Sequence, residues 1–348
     1  MDASRRDTLQ AHFASPNAVS RPILTSMNGD NSWLISFPRP SADRAARAYY
    51  HVVFEPWLAG PVTLLTSWII GVALTAPPKI SSIEDIEGAI RQIEEAAGTV
   101  IPAADTQSEG KYTGGIDSIM LGFHYDDHTN QATLQQFNEN IPVIATPEAA
   151  GIVKSWGHFK TITTIQSLAP SAESWRDAAL HPGSPVPSWL TPIRLPGPAV
   201  LNFGLAIIWT HATDDGGEVH EVIFNSPHGT RLDGGPIQAF LKAEPRTKKL
   251  AMLHGLKESH TAAIQTTYGV KGGLALYRRL GGVKYWVLSH NSTLKYSGIF
   301  MWLSWTVDTR RTMDWALEEE GKTKGDGEGE LDRPDLVEVD NGGCFVLA

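Results

Sequence analysis

Apolar positions along this chain fall into two periods. Short β-branched or aromatic runs bounded by Gly, Pro, Asn and Asp mark strands, and longer stretches with apolar residues every three or four positions mark helices. Pro22 to Asn28 and Ser32 to Phe37 read as two strands joined by Asn28-Gly29-Asp30-Asn31, a strong turn signal. Tyr49 to Phe54 reads as a third strand ending at Glu55-Pro56-Trp57-Leu58, and Leu64 to Leu74 as further buried strand. Ser82 to Ala97 is the clearest helix. Ser82 with Asp85 resembles a capping box, and Ile83, Ile86, Ile90 and Ile93 repeat at helical spacing. A strand over Ile116 to Leu121 follows, then a short helix (Ala132 to Asn138), a strand at Ile141 to Ala145, and a helix from Pro147 to Trp156.

The second half repeats the alternation after a Pro-, Ser- and Trp-rich stretch, 167–198, expected to be a long surface connection. Strands are expected at 199–211, 218–226, 248–254 and 283–289, with helices near 236–243 and 270–281. Residues 1–20 read as a flexible N-terminal arm. Glu318 to Asp335 is charged and Gly-rich and is expected to be a mobile loop, before a last short strand, Leu336 to Val339. The order β-rich, βαβα, β-rich, βαβα predicts an α/β fold of two similar halves packed face to face.

Composition narrows the partners. At 348 residues and 42% hydrophobic the chain can bury a large core. A net charge of −9 argues against a nucleic-acid surface, which needs clustered Lys and Arg, and weakly against an anionic membrane. Cys344 is the one cysteine, so there is neither an internal disulfide nor a Cys-based zinc site. Met1 to Ser20 has no apolar core of a secretory signal, and Val62 to Ala76 is broken by Thr66, Ser67 and Gly71; a cytoplasmic protein is expected.

Three strand ends carry the candidate chemistry. The run Ile116 to Leu121 stops at a loop holding His124, Asp126, Asp127 and His128. His228 follows the strand Glu221 to Phe224, and His290 ends Tyr285-Trp-Val-Leu-Ser-His290. One strand-end histidine is more often a hydrogen-bonded core residue than a ligand. Three of them on strands whose C-terminal ends meet, one beside a carboxylate, favour a single cleft suited to a zinc-class cation. Asp126 beside Asp127 is a weaker acid/base candidate. Trp175 and Trp189, in the Pro-rich stretch, are candidates for an apolar lid on the substrate.

These motifs resemble the metallo-β-lactamase superfamily, and especially a fungal, lactonase-like branch, over most of the chain. Asn28 to Ile35 looks like its opening hairpin. Phe54-Glu-Pro-Trp-Leu58 is similar to its Asp-Pro-Trp turn with Glu55 for the Asp. Asp117 to His128 with Ala132-Thr-Leu134 looks like its motif strand, loop and helix, Pro142 to Pro147 like its next strand, and Trp286 to His290 like its terminal histidine strand. The resemblance implies a single domain over 21–348, a four-layer αββα sandwich with metals at one edge. The family's His-x-His-x-Asp-His signature aligns with Phe123 and Tyr125 in place of its first two histidines, and Pro196-Gly197-Pro198 lies where its third first-site histidine belongs.

One metal site is therefore implied to be lost and the other kept, with Asp127, His128 and His290 as ligands and His228 near the missing bridging Asp. The function this implies is hydrolysis of a small organic ester, lactone or thioester by one zinc-class ion, with Tyr125, His124 and Asp127 as catalytic groups. The alternative is a metal-free relative that binds a small molecule or catalyses an isomerisation or cyclisation through His124, Tyr125 and Asp127, in fungal secondary metabolism.

Overall fold

The structure is a computed structural model that describes all residues except 1–2, 16–18, 45–46, 65, 67, 101–111, 198–200, 214, 231, 233, 262–263 and 324–331. Two large sheets face each other. The first has seven strands in the order Cys344–Val346, Ile23–Ser26, Trp33–Pro38, Tyr49–Phe54, Ser118–Leu121, Val143–Ala145 and Ile162–Thr164. The second has six: Leu336–Val337, Tyr285–Val287, Lys248–Leu253, Glu218–Asn225, Gly204–Ala212 and Leu190–Leu195.

Strict alternation along the strands sorts side chains into separate cores. From Tyr49–Phe54, Tyr50, Val52 and Phe54 point into the space between the sheets, where they meet Leu205, Ile207 and Trp209 of the second sheet. Tyr49 and Val53 point the other way, onto helix Ile83–Ala96 through Ile86, Ile90 and Ile93. In the second sheet Ala206 and Ile208 face outward onto helices Gly235–Lys242 and Gly269–Leu280 through Phe240, Val270 and Leu274. Three apolar layers between four layers of backbone make the αββα sandwich expected from the resemblance.

The outer helix on the first sheet is clamped by a buried imidazole–carboxylate pair. Glu94 and His51 are fully buried, with His51 Nε2 3.0 Å from Glu94 Oε1 and His51 Nδ1 2.9 Å from Ser36 Oγ. The Glu94 carboxylate also accepts from the backbone N–H groups of Ala48 and Tyr49. Ser36, His51 and Glu94 line up as a catalytic triad does, but all three are sealed from solvent, and their role is to hold helix to sheet. Burial opposes the charge on Glu94, yet hydrogen bonds from His51, Thr99 and Ala48 outweigh it and hold the carboxyl down at about 2. Glu94→Ala is expected to destabilise the fold by about 3–5 kcal/mol, because it strands a buried imidazole and two backbone donors. The stabilisation is present above the normal glutamate range and is lost as pH falls toward the folded value of about 2. Urea titrations at pH 7 and pH 3 check both: the gap between wild type and variant must be wide at the first and narrower at the second.

Four expectations change. Residues 3–13 are not a loose arm but a helix, Ala3–Phe13, docked through buried Leu9, with Arg5 donating to Gly342 O and Gln92 Oε1. Leu64 to Leu74 is not a core strand. It is a hairpin, Val62–Leu64 and Ile70–Ala73, paired with Lys295–Ser297 in a separate three-stranded sheet (residues 65 and 67 lie outside the described ones). The Pro-rich stretch holds the edge strand Leu190–Leu195, where Pro192 sits because an edge leaves its missing N–H unneeded. The start of the expected 318–335 loop continues helix Met313–Thr323, and 324–331 lie outside the described residues. A second small sheet, Glu258–Thr261 between Ile264–Tyr268 and Val307–Thr309, was not anticipated, because its Thr- and Ser-rich strands carry no apolar alternation. Among the described residues no helix is long and apolar enough to cross a membrane.

Candidate metal centre

Parallel pairing gathers the strand ends at one edge. Phe54 lies opposite both Trp33 and Met120, so the loop carrying Asp30, the residue Glu55 and the loop 122–128 leave the first sheet together. Asn225, Leu253 and Val287 are in register in the second sheet, which sends His228 and His290 out at a matching edge. The result is a cluster of three buried imidazoles, His128, His228 and His290, whose ligand-capable atoms lie within 4.8 Å of one another.

The partner of each Nδ1 fixes which nitrogen is left over. His128 Nδ1 is 2.6 Å from Glu55 Oε2, His290 Nδ1 3.1 Å from Asp30 Oδ2, and His228 Nδ1 3.2 Å from Thr267 Oγ1. These contacts occupy each Nδ1 and leave Nε2 as the other ring nitrogen. The Nε2 atoms of His128 and His228 are buried with no hydrogen-bond partner among the described residues. Two orphaned imidazole nitrogens aimed into one space, each ring oriented from behind, form the donor set that a divalent cation requires. The residues present therefore fit a metal ion.

Backbone strain concentrates at the same place. Glu55 (φ 46°) and His290 (φ 55°) both take the left-handed conformation, which costs a non-glycine residue roughly 1–3 kcal/mol. Glu55 Oε1 also accepts from Gly122 N, and a Cβ at Gly122 would come within 2.7 Å of that oxygen, so only glycine lets the carboxylate approach. Sequence reasoning noted Glu55 only as a departure and passed over Asp30; the Asn-Gly-Asp-Asn turn was the available signal. Thr267, 39 residues beyond His228, carried none.

Charge in the cluster is uneven. Burial disfavours a proton on His128, but Glu55 and Asp127 outweigh it and hold the imidazole up at about 9. Burial pushes His228 well down, helped by repulsion from His290 and His128. Burial would raise Asp30, yet the His290 partnership holds it down at about 2.

The remaining expected residues divide. Asp127 Oδ2 is 3.6 Å from His128 Nε2, next to the imidazole cluster rather than within it. Tyr125, Asp126 and Asp127 line a cavity of about 270 Å³ that reaches His228 and His290. Asp126 is pushed up by burial and then by the neighbouring Asp127. His124 is not among the cavity's lining residues; its ring packs on Phe123 and Tyr125, and its pKa is lowered by burial. Phe123 is buried, with its ring centroid 5.2 Å from His128, 5.4 Å from His228 and 5.0 Å from Phe203. It fills space beside the cluster with hydrocarbon. Pro198 lies outside the described residues.

Trp175 and Trp189 are not brought to the cavity. Trp175 is buried beneath the second sheet with its Nε1 donating to Pro245 O, and Trp189 packs edge-on against Tyr50. Trp175 finds apolar cover in the core, and Trp189, half-buried, packs against the core between the sheets. The cavity walls come instead from the two small sheets and helix Ile299–Leu303, through Val62, Ile70, Val72, Leu294, Tyr296 and Met301. A larger cleft of about 770 Å³ between helices Ala3–Phe13 and Ile83–Ala96 is lined by charged side chains and holds no histidine.

No protein-family model and no curated protein matches the sequence. Among solved structures the chain is similar to the isothiocyanate hydrolase from Delia radicum gut bacteria, with a TM-score of 0.51 and 12% identity over 93% of this chain and 98% of that one. It is also similar to a possible metal-dependent hydrolase from Veillonella parvula DSM 2008, with a TM-score of 0.50 and 10% identity over 94% of this chain and all of that one. At such identity the likeness is one of fold, and over nearly its full length this chain has the fold of those two hydrolases.

Proposed function

We propose that the protein is a metal-dependent hydrolase of the metallo-β-lactamase superfamily that uses one zinc-class ion to cleave a small organic ester, lactone or thioester. The observation that carries this reading is the pair of buried, unpartnered Nε2 atoms on His128 and His228, facing the third imidazole, His290, at the mouth of a cavity. The similar folds of two hydrolases support it. In this reading His128, His228 and His290 would hold the ion, three protein ligands leaving a zinc-class ion one position for water or substrate, and Asp127 stands beside them, 3.6 Å from His128 Nε2.

A bound zinc-class ion supplies Lewis acidity to a carbonyl oxygen and to water. The chain does the rest. Asp30 and Glu55 hold the imidazole rings in the tautomer that leaves Nε2 free. Asp127, beside the imidazoles, would accept the proton of the attacking water. Tyr125 at the cavity wall donates to the oxygen on which negative charge develops. The apolar walls exclude competing water and make each of these contacts stronger.

Two tests follow. Glu55→Gln keeps the size of the side chain but removes the charge behind His128, and is expected to weaken zinc affinity by about 10–100-fold. Competition with a fluorescent chelator measures it, and an unchanged affinity would contradict the role assigned to Glu55 in holding the His128 ring. The pH dependence has a defined sign. An ion must displace the His128 proton, held up at about 9, so affinity should rise with pH through the neutral range and binding at pH 7 should release about one proton. Calorimetry in buffers of different ionisation enthalpy counts that proton; a count of zero would remove His128 from the ligand set. The reading as a whole is tested by stripping the protein with a chelator and assaying p-nitrophenyl esters before and after zinc is restored. Turnover should vanish and return, and turnover that survives exhaustive stripping would exclude it.

A further inference from the structure

The chemistry of the cavity walls narrows the substrate, granting the hydrolase reading above. Val62, Ile70, Val72, Leu201, Leu294 and Met301 present hydrocarbon around most of the cavity. Near the histidines it presents the carboxylates of Asp126 and Asp127. Lys257 is the one Lys or Arg among the described lining residues, and its ammonium is already committed. It is buried, donates to Ser292 O at 2.8 Å, and faces Asp308 Oδ2 at 3.7 Å. Asp308 is held in turn by the Tyr296 hydroxyl at 2.9 Å, the Ser259 hydroxyl at 2.7 Å and Leu294 N at 3.1 Å. This network closes on itself and ties both small sheets to the loop after His290. Apart from the ion itself, whose two charges Asp126 and Asp127 would balance, the described lining offers an incoming anion no spare cation.

An anionic group in this cavity would lose its hydration against apolar walls and meet two carboxylates. A cationic group would find the carboxylates but pay the same desolvation along the walls. The volume, about 270 Å³, falls just below the usual range of ligand cavities, roughly 300–1,000 Å³. We propose that the substrate is a small, uncharged ester or lactone with a compact aliphatic acyl group, and that the cavity rejects carboxylated and phosphorylated acyl compounds, nucleotide-bearing thioesters among them.

The test uses three amides of matched length with the zinc-loaded protein: hexanamide, the monoamide of adipic acid, and 6-aminohexanamide. Hexanamide is expected to bind at least about tenfold more tightly than either charged analogue, as measured by ligand-observed NMR titration. Equal or tighter binding of a charged analogue overturns the proposal. In Met301→Lys, which adds an uncommitted ammonium to the wall, affinity for the carboxylated amide should rise by about tenfold; no gain in a variant with wild-type circular dichroism also counts against it. Hydrolysis of p-nitrophenyl pentanoate against mono-p-nitrophenyl glutarate is followed in parallel. If the amide ranking holds and neither ester is cleaved, the hydrolase reading fails while the assignment of a neutral ligand stands. If the ranking reverses, the assignment fails whatever the esters show.

Discussion

His228→Ala is expected to reduce bound metal to background, to abolish ester hydrolysis, and to leave a folded protein. The variant removes one of three converging nitrogens, so the loss of affinity should exceed the 10–100-fold attached to an outer-shell partner, reaching about 10³-fold or more. The fold should survive because burial and neighbouring imidazoles already keep His228 uncharged, so its removal strands no ion. What is lost is a modest hydrogen bond to Thr267 and some packing, about 1–3 kcal/mol. His290→Ala should behave differently. It removes the same kind of ligand but leaves the Asp30 carboxylate buried without its imidazole, which adds a stability loss of about 3–5 kcal/mol. Elemental analysis with urea denaturation on both variants separates the two effects. Full metal occupancy in His228→Ala would show that the residue is a core histidine.

Tyr125→Phe should do the reverse: full metal content, unchanged stability, and a rate lower by about 10²–10³-fold. The side chain lines the cavity and is 39% exposed, so deleting its hydroxyl leaves no buried group unsatisfied. The loss should appear in kcat, since a donor to developing negative charge acts in the transition state more than on the bound ester. A variant that retains the wild-type rate would exclude Tyr125 as that donor.

Much of the scaffold was legible because it follows from local pattern. Ile83, Ile86, Ile90 and Ile93 with the Ser82–Asp85 capping box gave a helix that the structure places at Ile83–Ala96, and the apolar runs before residues 122, 226 and 288 gave strands whose ends meet. Features with a weak or non-local signal were missed. Helix Ala3–Phe13 has no broad apolar stripe and is docked by the single buried Leu9 and by Arg5. Trp175 and Trp189 sit in a Pro-rich segment that reads as surface, and only tertiary packing shows that the core takes them. The groups behind the imidazoles are far from them in sequence: Glu55 is 73 residues from His128, and Asp30 is 260 from His290. Lys257 and Asp308 are likewise separated by strands too polar and short to read as structure. A periodic pattern reports which face is buried, and it carries no information about which distant carboxylate a histidine will find.

The central claim is that the three imidazoles hold one ion, and metal stoichiometry tests it most directly. Protein loaded with zinc and freed of excess by gel filtration should retain about one equivalent per chain by elemental analysis, since the described residues bring together one group of three metal-ligating side chains and Phe123 packs hydrocarbon against it. Retention of less than about a tenth of an equivalent, or of two, would contradict the account.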